Sequence, residues 1–98
     1  MRRGLIALAM GWYLLVPRVE HDLVVDPTIA TWTQNSAWDS AADCEARRTV
    51  VIEWAGQRLA AAKDPNEKVD ARNFAFAAIY SRCIETADAR LTPKGVPQ

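Results

Sequence analysis

Net charge is the first thing this chain lacks: 12 basic and 12 acidic side chains cancel. A sequence-independent grip on nucleic acid needs an excess of Lys and Arg on one face. No basic stripe with interleaved aromatics supplies it, so no nucleic-acid partner is expected. Glycine is scarce as well. The four glycines are scattered and build no phosphate-cradling loop. Nor does a nucleophile elbow present Ser36, Ser40 or Ser81 to His21 and Asp22. Two cysteines and one histidine are too few and too dispersed for a zinc pattern, and they include no C-x-x-C pair. Glu20-His21-Asp22 reads as a solvated charge cluster in preference to a cation site. These absences exclude the familiar catalytic, metal and cofactor signatures. No catalytic residue, metal, cofactor or small-molecule substrate is inferred, and a non-enzymatic role is expected. Internal repeats and low-complexity tracts are absent too.

Long hydrophobic runs are the last deficit. The longest apolar run, Gly4 to Val16, has 13 residues. As a helix it would span roughly 20 Å, against about 30 Å of bilayer hydrocarbon. An ordinary membrane-spanning helix is therefore disfavoured. Arg2 and Arg3 before this run give the layout of a signal peptide, a basic n-region and a short h-region. No convincing small-x-small cleavage site follows, so residues 1–16 read either as a cleaved signal peptide or as an uncleaved membrane anchor acting through residues 4–16. Either of these readings places the remainder outside the cytoplasm, periplasmic or anchored in the inner membrane facing the periplasm; the alternative is a buried N-terminal helix of a cytoplasmic protein. Without Arg2 and Arg3, ten basic and 12 acidic groups remain, a mildly acidic exported part.

What is present is enough apolar material for one small domain: half of 98 residues. Residues 17–37, punctuated by Pro17, Asp26-Pro27 and Thr33-Gln34-Asn35-Ser36, show no helical period and predict an extended linker that becomes ordered near Trp32. A helix is predicted from Asp39 or Ser40, with Ser40 and Asp43 approximating a capping box, to about Ala62. Its inward stripe is Cys44, Val51, Ala55, Leu59 and Ala62. Asp43 and Arg47 are spaced for an ion pair one turn apart. Asp64, Pro65 and Glu67 form a second helix start, and that helix should run to about Ser81. Its predicted core stripe is Val69, Arg72 or Asn73, Phe76, Ile79 with Tyr80, and Cys83. The Pro- and Gly-containing residues 92–98 predict a flexible tail.

The expected fold is mainly α: an N-terminal apolar helix, the linker, and over residues 38–91 an antiparallel αα-hairpin clamped by one disulfide. The pairing follows from helix lengths. The first helix advances about 27 Å from Cys44, and the second returns about 22 Å by Cys83, so both thiols arrive at one end. An oxidising compartment would then join Cys44 to Cys83. A thiol with a lowered pKa at the helix start is the alternative, although an acidic first turn opposes it. Trp12 is assigned to the signal or anchor, Trp54 to the hairpin flank beside Arg58. Trp32 and Trp38 are expected to cap the hairpin's open end and are the candidate partner contacts.

"GWYLLVP", "WDSAADCEARR" and "RCIETADARL" together resemble a group of small, uncharacterised, exported bacterial proteins. In that pattern an apolar start ends in G-W-Y-L-x-x-P-P, a lone Trp precedes F-D-S/T-A-x-x-C-E, and the chain closes on R-C-I/V-x-x-D-D-P-R-L. Gly11, Trp12, Tyr13, Leu14, Pro17, Trp32, Asp39, Ser40, Ala41, Cys44, Glu45, Arg82, Cys83, Ile84, Asp88, Arg90 and Leu91 match. The departures are a single Pro17, Trp38 for Phe, Ala87 for Asp and Ala89 for Pro. The resemblance implies export and paired cysteines, and no activity. The functional expectation is a non-enzymatic accessory or scaffold protein of the cell envelope with an envelope protein as partner. The alternative is a thiol redox or stress-response protein using Cys44 and Cys83 reversibly.

Overall fold

The computed structural model describes residues 11–91. Its elements are β1 (Trp12–Val16), β2 (Val19–Glu20), β3 (Leu23–Val24), a 3-10 turn (Ile29–Thr31), β4 (Thr33–Trp38), α1 (Ala41–Ala61), α2 (Pro65–Tyr80), β5 (Arg82–Glu85) and a last 3-10 turn (Ala89–Leu91). Over the described residues the fold is mixed α/β: two helices and five strands in two antiparallel sheets. The mainly α expectation is thereby corrected.

The correction turns on β1. Trp12–Val16 was expected to belong to an apolar N-terminal helix, yet it is the middle strand of a three-stranded sheet of order β4-β1-β5. Tyr13 pairs with Ala37 on one side and Ile84 on the other, and Leu14 with Ser36 and Cys83. The physical reason is burial on both faces. Leu14 is 0 % exposed and packs with Cys44, Val51, Ala55 and Ala78 under the helices. Leu15 is turned to the opposite face, beside Ile29, Ile84, Trp32 and Leu91. A strand covered on both faces reads as an unbroken apolar run, and periodicity alone does not separate it from a helix. The aromatic and β-branched content of Trp12-Tyr13-Leu14-Leu15-Val16 suits the pleated form. The expected signal or anchor also covers residues 1–10, which lie outside the described residues, as does the expected tail at 92–98. No helix among the described residues is long and apolar enough to cross a membrane.

The expected linker is likewise structured. Its polar run Thr33-Gln34-Asn35-Ser36 lies in β4, where one extra residue, Asn35, separates the pairs Leu14–Ser36 and Leu15–Gln34. Such a bulge bends and twists an edge strand. Upstream, β2 and β3 form a two-residue hairpin with His21 and Asp22 at φ 53° and 67°. A two-residue turn with both central residues at positive φ matches the right-handed twist of the strands. Non-glycine residues there are strained. His21→Gly is expected to stabilise slightly, by under about 1 kcal/mol, because strain relief narrowly exceeds the added chain entropy. A urea midpoint measures it.

Both helices begin as their caps dictate. The Ser40 side chain accepts from Asp43 N–H, and Asp64 from Glu67 N–H at 2.8 Å. Glu67 reaches back to Lys63 N–H at 2.8 Å. Ser40→Ala is expected to cost about 1 kcal/mol, readable as a lowered unfolding midpoint. On α1 the buried residues are Cys44, Val51 and Ala55, as the spacing predicts. On α2 the expected face is not the buried one. Ala71, Ala77 and Ala78 face inward with Phe74 and Ala75 beside them, while Val69, Ile79 and Tyr80 are exposed. Residues 71, 74, 75 and 78 have helical spacing too, so α2 carries two apolar faces. The small one lets α2 approach α1 and the sheet. The helices therefore do not form a hairpin standing by itself; they make one layer over the three-stranded sheet.

Candidate contact surface

The disulfide is present: Cys44 and Cys83 are joined, with Cα atoms 6.0 Å apart. Cys83 lies in β5 and not on the second helix. The bridge thus clamps the start of α1 to an edge strand of the sheet, linking the two layers. Cys44 is fully buried and Cys83 partly exposed. Beside it, Arg48 of α1 donates from Nε to Ser81 O at 2.8 Å and from Nη2 to Ile79 O at 2.7 Å. These carbonyls belong to the last turn of α2 and to its C-cap, Ser81, whose acceptors have no partner within the helix. Ser81, itself buried, accepts from Arg48 Nε at 3.2 Å and donates to Ala78 O. Arg48→Met is expected to cost about 2 kcal/mol, since charge-assisted hydrogen bonds to partly buried carbonyls are lost. Thermal unfolding under non-reducing conditions measures that loss.

The two candidate contact tryptophans are not brought together. Trp38, paired across the sheet with Trp12, packs on the Leu14–Cys44–Val51 cluster and donates to Ser36 Oγ at 2.8 Å. Trp32 packs on the Leu15–Ile29–Ile84 cluster and donates to Asp26 O at 2.8 Å. They serve opposite faces of one sheet. Trp12, assigned to the signal or anchor, is likewise part of the packed sheet. Arg47 of α1 lies over the Trp54 ring at 4.8 Å instead of pairing with Asp43, and Arg58 lies over Phe74 of α2 at 5.3 Å.

The residues that do share a surface are ones the sequence reading placed in the core. Val69 is 58 % exposed, Ile79 52 % and Tyr80 40 %, all on the outer side of α2. Phe76 lies between them, its ring 6.2 Å from that of Tyr80. The hairpin adds Leu23, 69 % exposed, and is fastened to α2 by Arg72, which donates from Nε and Nη2 to the Asp22 carboxylate at 2.7 and 2.8 Å. Between the hairpin and α2 lies an open groove of about 470 Å³ lined by Glu20, His21, Asp22, Val69, Arg72 and Asn73. Among the described residues no hydroxyl or thiol lines it.

No family model matches this chain. No curated protein and no solved structure matches it either.

The charges around this surface are paired locally. The Arg72 hydrogen bonds hold the Asp22 carboxyl below the usual carboxylate range. The backbone N–H of Thr28 does the same for Asp26, and the Arg90 side chain for Asp88. A carboxylate whose folded pKa is depressed contributes stability that is complete at neutral pH. That contribution is lost as pH falls from about 4, the unfolded value, through the folded pKa. Asp22→Asn is therefore expected to flatten the acid limb of a stability–pH profile and to lower the neutral-to-alkaline limb uniformly without changing its slope. A series of urea melts from pH 2 to 7 checks this.

The signal that could have found this face was in the sequence. Residues 69, 72, 76 and 79 and residues 71, 74, 75 and 78 both fit a helix. Large side chains stand on the first set and alanines on most of the second. Size drew the reading to the wrong set.

Proposed function

We propose that this protein is a small, non-enzymatic contact module of the cell envelope, an accessory or scaffold subunit exported from the cytoplasm. One observation carries the reading: α2 turns its alanines inward and presents Val69, Ile79 and Tyr80, with half-buried Phe76 between them and Leu23 beside them, on the outside. In a domain this small, large apolar side chains are needed inside. A helix apolar on both faces is expected where both are covered. The disulfide supports an oxidising compartment, in keeping with the resemblance to exported proteins. The contact surface is thus moved from Trp32 and Trp38 to the outer face of α2.

The test is a photo-crosslinking side chain at Ile79 in growing cells, with one at Gln57 on the exposed side of α1 as control. Products at Ile79 that Gln57 does not give support the module. Identical or absent products at both positions overturn it.

The redox alternative rests on Cys83 bordering an open groove of about 320 Å³ with Glu45 and Arg48. A reduction potential below about −300 mV marks a structural bridge and removes that alternative.

A further inference from the structure

We propose that the Cys44–Cys83 bridge exchanges with external thiols at one sulfur, Cys83 Sγ, and that the reagent it takes is a small thiolate carrying further negative charge. Cys44 is then the sulfur that leaves and returns. The first observation is access. Cys44 is 0 % exposed and packed with Leu14, Val51, Ala55 and Ala78. Cys83 is only partly buried. It lies in β5, an outer strand of the sheet, and borders an open groove of about 320 Å³ that Cys44 does not reach. Exchange begins with a thiolate attacking one of the two sulfurs, and access decides which. A thiolate aimed at Cys44 would have to cross the packed core. Cys83 is the end of the bridge that meets the groove.

The second observation is charge. Arg48 and Arg82 line the groove against one carboxylate, Glu45. Glu45 lies 3.8 Å from Arg48 Nη1, so its charge is set against that cation. Arg82 is exposed on β5, and among the described residues no carboxylate pairs with it. A groove with an excess of positive charge concentrates anions near its walls. The attacking species in exchange is itself an anion. The volume is at the low end of small-molecule sites, which suits a small thiol.

The step balances between the bridge and the reagent. The thiolate sulfur bonds to Cys83 Sγ, the Cys44–Cys83 bond breaks, and its electron pair goes to Cys44 Sγ, which takes up a proton from solvent. The reagent sulfur is oxidised and Cys44 is reduced, so one disulfide replaces another. Cys44 stays enclosed beside the mixed disulfide. Its return attack on Cys83 Sγ restores the bridge and expels the reagent as a thiol. The assignment concerns which sulfur reacts, and it holds whether the bridge is structural or reversible. It does not rest on the contact-module reading.

The test treats the full, bridged chain with excess glutathione, quenches with acid at early times and alkylates the free thiols. Cleavage after arginine leaves Cys44 and Cys83 on different peptides, on which the adducts are mapped. Glutathione on Cys83 should exceed that on Cys44 by about tenfold or more. The excess should vanish in urea, where both sulfurs are open. Equal loading of the folded chain, an excess on Cys44, or no adduct short of unfolding overturns the inference. Cysteamine, a cationic thiol, tests the charge. Relative to the rates on the urea-unfolded chain, the folded chain should favour glutathione over cysteamine by about threefold or more. Arg82→Glu, its fold checked by circular dichroism, should remove that preference. A folded chain that favours neither thiol overturns the anionic reagent, and so does a preference indifferent to Arg82→Glu. Failure of the crosslinking at Ile79 overturns the contact module and leaves this assignment standing.

Discussion

A chain lacking residues 1–16 is expected not to fold, whereas one beginning at Gly11 is expected to unfold cooperatively at nearly the same urea concentration as the full chain. The difference is the central strand. Without Trp12–Val16, β4 and β5 lose their shared partner, and the three-stranded sheet ceases to exist. The helices then lose Leu14, the largest of the fully buried side chains. Thr86 N–H also donates to Gly11 O at 2.9 Å, a bond the shorter deletion keeps. A graded form of the same prediction is Leu14→Ala. It should cost about 3–5 kcal/mol, because the side chain is enclosed by Cys44, Val51, Ala55 and Ala78 and the site has little room to collapse. Small domains have roughly 5–15 kcal/mol in total, so this one substitution should leave a substantially unfolded population. Circular dichroism and urea titration of the two deletions measure the effect. A folded chain beginning at Pro17 would mean that β1 is dispensable and that the apolar run serves only as a leader.

Reduction of the Cys44–Cys83 bridge is expected to produce the second large loss. The two residues are 39 apart in sequence. Constraining a loop of that length in the unfolded chain is worth about 4 kcal/mol in the chain-entropy account. The position of the bridge determines what is lost. It joins α1 to β5, so the two layers are tied at the edge of the core, where Arg48 also binds the last carbonyls of α2. Reduced protein, or Cys44→Ala with Cys83→Ala, should show a much lower urea midpoint. The layers should separate near Ser81 and Arg82 before the α1–α2 contacts melt. Hydrogen exchange with and without reductant measures both, the early signal being loss of protection in β5. Equal midpoints in the two states would show that the layer packing suffices without the bridge.

Much of the helical layer was legible in advance. Ser40 and Asp64 are capping residues whose side chains act on N–H groups three residues away, and that chemistry is local. The ends of α1 and α2 therefore fall within about a residue of where cap, proline and period place them. The cysteine pairing was legible because the two helix lengths return the chain to the start of α1, although Cys83 lies past the end of α2, in β5 and not on the helix as expected. The candidate surface was not. Whether α2 buries Ala71 and Ala78 or Val69 and Ile79 depends on what lies across from it, and no local rule sees that.

The sheet marks the same boundary. Leu14 and Leu15 are neighbours in sequence with one chemistry, and they end on opposite faces of β1, each beneath a different cover. Those covers come from residues 29 to 91, so the strand is recognisable only once they are in place. Sequence by itself determined the caps, the lengths of the two helices and the reach that lets Cys44 meet Cys83, because each depends on atoms a few bonds or a few turns apart. Tertiary structure alone decided that the apolar run supplies a central strand, that Trp32 and Trp38 part to opposite faces, and that α2 turns its larger side chains outward. Each of those outcomes depends on which surfaces become neighbours, and hydrophobic burial is non-directional until the neighbours are fixed.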